Sequence, residues 1–81
     1  MSLSELMIDI PAEHEANVFG QFDTYVKKLE RTFHVTLISR DGNTKIVGET
    51  NAAQKAQRVL TQLLELSKRG NTITEQNVDY A

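Results

Sequence analysis

The sequence predicts an α+β fold, a three-stranded antiparallel sheet with helices packed on one face. Three observations carry that prediction. Leu6, Ile8 and Ile10 alternate with Met7 and Asp9, and Val35, Leu37 and Ser39 with Thr36, Ile38 and Arg40, the period of a half-buried strand. Residues 22–33 and 52–64 instead repeat apolar side chains at three and four, the period of a helix. Between strand-like runs stands Asp41-Gly42-Asn43, a hairpin connection in which Gly42 suits positive φ. A chain of 81 residues admits one domain. At that size folding buries only about 60–65% of the unfolded surface, so the core is small and single.

Composition narrows the class. Apolar residues make up 40% and charged residues 25%, the range of an ordinary globular domain. The formal charge of −2 lacks the basic surplus of a strong nucleic-acid binder, leaving only local clusters to supply one. Without cysteine there is no disulfide and no thiolate metal site. No window approaches eighteen apolar residues and no signal peptide is visible, so the expectation is a cytoplasmic chain with no membrane partner. Met1-Ser2-Leu3 reads as an expression leader.

In order, Leu6, Ile8 and Ile10 form the first strand, and Pro11 ends it because proline has no N–H for the ladder. Ala12 to Val18 is a short helix with His14, Glu15 and Asn17 expected to face water, broken at Gly20. The main helix follows from Thr24 to about His34. Phe22, Val26, Leu29 and Phe33 make its apolar stripe, with Lys27, Lys28, Glu30 and Arg31 on the other side. Asp23 is expected to be its N-cap. Val35 to Arg40 is the second strand and Thr44 to Val47 the third, closed by Gly48. Thr50 or Asn51 is expected to cap a long helix with Ala52, Ala56, Val59, Leu60, Leu63 and Leu64 on its buried stripe. Lys68 and Arg69 suit its C-terminal dipole, and Gly70 its C′ position. Ile73, Thr74 and Val78 then read as the staple and N-cap of one more helix. That helix is cut short at Ala81, so residues 71–81 are expected to begin a connection into a longer parent chain.

The order strand, short helix, Gly loop, helix, strand, hairpin, strand, long helix resembles a type I KH domain (β-α-α-β-β-α). Ile8-Asp9-Ile10-Pro11 is similar to the opening strand of that family, and Gly20-Gln21-Phe22-Asp23 occupies the GxxG position. Val26-Lys27-Lys28-Leu29-Glu30 resembles the helix that follows it. Ile46-Val47-Gly48 with Ala52 and Ala56 resembles the last strand and final helix. The chain looks still more like the N-terminal KH-like domain of PhoH-like ATPases. Phe19 to Asp23, Leu29-Glu30-Arg31, Arg40-Asp41-Gly42 and Gly70-Asn71-Thr72-Ile73-Thr74 carry that likeness.

On this resemblance residues 4–70 would be the KH-like domain, and the parent's ATP and magnesium would belong to a P-loop domain downstream. This chain has no G-x-x-x-x-G-K-[ST], so the fragment itself is expected to carry no ATPase activity and no cofactor. The resemblance implies single-stranded RNA as partner, its backbone cradled at Gly20, Gln21, Phe22 and Asp23. Lys27, Lys28, Arg31, Arg40 and Lys45 are the basic residues that would ring a groove between the main helix and the second strand. Phe22, if exposed, would offer a stacking surface.

Asp23 departs from the GxxG pattern. As an N-cap it would occupy the N–H groups a phosphate needs, a self-interaction of about 1 kcal/mol. It would also repel that phosphate by roughly 1–3 kcal/mol. The alternative function is therefore a protein-interaction or homo-oligomer contact of the same ATPase, with little RNA affinity. Catalysis is the weakest class: Glu13, His14 and Glu15 are adjacent on a helix and do not converge, and no nucleophile or oxyanion donors accompany them.

Overall fold

The computed structural model describes residues 3–20, 23–40 and 42–80. Met1 and Ser2, and with them the first two residues of the expected leader, lie outside the described residues, as do Gln21, Phe22 and Asp41. The elements are β1 (Leu3–Asp9), α1 (Ala12–Phe19), α2 (Thr24–Phe33), β2 (Thr36–Arg40), β3 (Asn43–Glu49), α3 (Thr50–Lys68) and α4 (Glu75–Tyr80). The sheet is antiparallel throughout, ordered β1-β3-β2, so the last strand in sequence is the central one. The architecture is α+β in the expected β-α-α-β-β-α order, with α4 added.

Alternation decides which face is covered. Leu6 and Ile8 of β1, Ile10 just after it, Leu37 of β2 and Thr44, Ile46 and Gly48 of β3 turn toward the helices. α3 crosses β1 and β3 on that face and also meets α1 and α2. Its small Ala53 and Ala56 are fully buried, which lets the helix axis approach the sheet before Leu60 and Leu63 fill the centre. Arg40 and Asn43 are register partners, leaving two residues for the hairpin, and Gly42 takes φ +84° as the tight connection requires. The Gly42 carbonyl then accepts from Ile10 N–H at 2.8 Å, which seats the end of the first strand under the hairpin.

Three local details differ from the sequence expectation. Gly48 does not close β3 but lies within it, paired with Ser4; the position takes glycine because a β-carbon there would stand 2.7 Å from Val35 Cγ1. Neither Thr50 nor Asn51 caps α3; Glu49 does, its carboxylate accepting from Ala52 N–H at 3.3 Å. His14 and Asn17 do not face water. His14 Nδ1 is 2.8 Å from the Ser67 hydroxyl, and Asn17 donates to that hydroxyl at 2.9 Å and to the Asn71 carbonyl at 2.8 Å. Asn17 Oδ1 also accepts from Ile73 N–H at 2.8 Å. Periodicity could not show this, since the partners lie fifty residues on, at the end of α3.

That end is built from local signals. Gly70 N–H donates to the Ser67 carbonyl and Asn71 N–H to the Leu66 carbonyl, with Gly70 at φ +88°, the paired bonds of a Schellman stop. Thr74 and Asn77 cap α4 reciprocally: Thr74 N–H donates to Asn77 Oδ1 at 2.9 Å, and Asn77 N–H to Thr74 Oγ1 at 3.3 Å. Ile73 and Val78 bury themselves as the expected staple, at roughly 1.5–3 kcal/mol of apolar burial each.

Candidate nucleic-acid interface

A cleft of about 170 Å³ opens where α1 hands over to α2, facing β2. Phe19, Val26 and Leu37 supply apolar walls, and Asp23, Ser39 and Thr44 the polar groups. Each position follows from local structure. Val26 comes one turn into α2, on the stripe that also holds the buried Leu29. Leu37, Ser39 and Thr44 share the inward parity of their strands, so they form the sheet-side wall.

Hydrogen bonds fix the loop and α2 at both ends of the cleft. The loop is closed by Asp23 N–H donating to the Gly20 carbonyl at 3.1 Å. Gly20 has φ +81°, and a β-carbon there would lie 2.7 Å from Tyr25 Cδ2, so the glycine is required twice over. Tyr25 in turn donates its hydroxyl to the Ile73 carbonyl at 3.1 Å. At the other end Glu30 is not simply on a solvated face: its carboxylate accepts from Leu37 N–H at 2.9 Å, tying α2 to the outer edge of β2.

Asp23 overturns an expectation. It stands at the N-cap position of α2 but in the left-handed region, at φ 57° and ψ 31°, and its side chain makes no capping bond. A capping side chain needs a residue in the β region; the left-handed backbone turns the carboxylate away from the helix N–H groups. It therefore lines the cleft instead of closing the helix end.

The expected site residues separate into groups. Gly20 and Asp23 form the loop, while Gln21 and Phe22 lie outside the described residues. Lys27 and Arg31 are exposed on α2, and Lys28 is half-buried. Arg40 and Lys45 are not at the cleft. They point to the opposite, open face of the sheet, beside Met7, Ile38 and Asn43, with Lys45 Nζ 3.8 Å from Glu5. Strand parity carried that answer, since Lys45 sits between the inward Thr44 and Ile46. The same parity picks out Ser39 and Thr44, two positions that no motif in the sequence marks. Thr44 is only 1% exposed, and its hydroxyl has no hydrogen-bond partner among the described residues. The described residues contain no group of three or more His, Asp or Glu that could hold a metal ion, and no helix long and apolar enough to cross a membrane.

Fold and cleft together define a small α+β domain with a glycine loop and a groove between one helix and one sheet edge. No family model matches the chain. It is related to a PhoH-like protein of Bacillus subtilis (strain 168), 32% identical over 65 residues, which is 80% of this chain and 20% of that protein. The chain thus corresponds to one portion of a much longer relative.

Proposed function

We propose that this chain is a KH-like domain that binds single-stranded nucleic acid, RNA foremost, on behalf of a PhoH-like ATP-binding parent in the cytoplasm. The observation that carries this reading is the groove itself: a glycine loop, a helix start that Asp23 does not cap, and apolar walls wide enough for a base. Unstacked bases are held by such apolar and aromatic surfaces, while the backbone lies along loop N–H groups and exposed cations. Lys27 and Arg31 are the exposed cations of α2, the helix that follows the loop. ATP and magnesium belong, on this reading, to a domain outside the chain, and no catalytic role is assigned to the fragment. The test is anisotropy of a labelled oligonucleotide at low salt. Saturable binding that weakens as salt rises is expected; no saturable binding at any salt would refute the reading.

A second reading, a protein-interaction or self-association role in the same parent, has its own observation. The open sheet face exposes Leu3 (79%), Met7 (52%) and Ile38 (44%), with Met7 and Ile38 flanking Lys45. Sedimentation across a concentration series decides it: a strictly monomeric chain that also fails to bind the rest of the parent removes this role.

A further inference from the structure

We infer that the groove selects a guanine base and that Asp23 is the residue that reads it. The inference rests on the nucleic-acid role proposed above and concerns which base the groove holds. At about 170 Å³ the cleft is smaller than a drug-sized site and suits one planar ring system between Phe19, Val26 and Leu37. Its polar lining residues are Asp23 on the loop side and Ser39 and Thr44 on the sheet side.

An ionised carboxylate only accepts, through two oxygens, whereas a hydroxyl can donate. Guanine presents two adjacent donors, N1–H and the N2 amino group, next to the acceptor O6. The carboxylate matches the two donors and a hydroxyl matches O6. Adenine and cytosine each offer one amino donor beside a ring nitrogen that would face the carboxylate lone pairs. Uracil flanks its one N–H with carbonyl oxygens on both sides and is the poorest match.

Thr44 supplies an independent observation. Buried polar groups are as a rule paired, yet this hydroxyl, in a residue 1% exposed on the cleft wall, has no partner among the described residues. Its proton is uncommitted, but its oxygen exposes less than 1 Å² and meets O6 only after the side chain rotates; the exposed Ser39 is the hydroxyl open to O6 without that step. Asp23 is uncommitted to the helix end for a separate reason, its left-handed backbone. An acidic residue in a nucleic-acid groove is then accounted for: it addresses a base edge, not a phosphate.

The experiment uses the whole chain and labelled strands of about eight nucleotides, all uridine or with one central G, A or C. The G strand should bind about tenfold more tightly than the all-uridine strand. D23N is the informative variant, because asparagine tolerates the left-handed region. It should erase the guanine advantage, move preference toward adenine, whose donor–acceptor edge suits an amide, and leave all-uridine affinity equal or higher. T44V should shrink the guanine advantage with an unchanged or raised melting temperature. Equal affinity for all four strands, or a guanine preference that survives both variants, overturns the inference while leaving the nucleic-acid role standing. Failure to bind any strand overturns both.

Discussion

Tyr25 lies flat enough against Gly20 that a β-carbon on the glycine would sit 2.7 Å from its Cδ2 and 2.9 Å from its Cγ. The same ring's hydroxyl reaches the Ile73 carbonyl at 3.1 Å. One aromatic side chain therefore sets the loop before α2 and pins the segment after α3. Gly20→Ala must either move that ring or abandon φ +81°, and an expected cost is about 1–3 kcal/mol. Tyr25→Phe keeps the ring and loses one hydrogen bond, about 1 kcal/mol. Urea denaturation measures both, and the order Gly20→Ala worse than Tyr25→Phe is the expected result.

Gly48 and Val35 offer a cleaner packing test. Adding a methyl at position 48 meets Val35 Cγ1 at 2.7 Å in the middle of β3, where the backbone cannot shift without breaking the ladder to Ser4. Gly48→Ala should cost about 1–3 kcal/mol. Val35→Ala removes the opposing carbon, so the double variant should be less destabilised than the sum of the singles by roughly 1 kcal/mol. Strict additivity in denaturant melts would show that the contact is relieved some other way.

Asn17 joins α1 to the end of α3 and to Ile73 through three hydrogen bonds. Asn17→Ala should cost about 2–3 kcal/mol, because it strands polar groups as well as removing bonds. The loss should be local first: amide exchange at Ile73 and Val78 should accelerate more than at Leu60 or Ile46. Uniform acceleration would mean that α4 is not held by this residue.

Glu30 separates a charge effect from an acceptor effect. Its carboxylate takes the Leu37 N–H, so Glu30→Ala should cost about 1–3 kcal/mol and widen the groove at that end. Glu30→Gln retains an acceptor and should fall well below that loss. Thermal melts compare the two, and equal losses would show that the charge alone matters.

Elements whose instructions are local were readable from the chain. The Thr74 cap with its Ile73 and Val78 staple, the Gly70 stop and the Gly42 hairpin each depend on residues within a few positions of one another. What escaped depends on partners distant in sequence or on a backbone state that side-chain type does not fix. Asp23 is a favoured cap residue by composition, yet the turn from Gly20 delivers it in the left-handed region, where it cannot cap. His14 and Asn17 read as polar surface because Ser67 and Asn71, their partners, are fifty residues away. Glycine at 48 signals a strand break or a close approach with equal force, and only the position of Val35 decides between them. Arg40 and Lys45 were legible in principle. Counting parity from the inward Leu37 and Ile46 places both on the open face, away from the groove.

The central claim is that nucleic acid occupies the groove between α2 and β2. Methyl-resolved NMR during titration with a short single-stranded RNA tests it most directly. The account predicts shifts at Val26, Leu37 and Thr44, with Met7 and Ile38 on the far side of the sheet unmoved. Shifts confined to Met7 and Ile38, or none at saturating RNA, would contradict it.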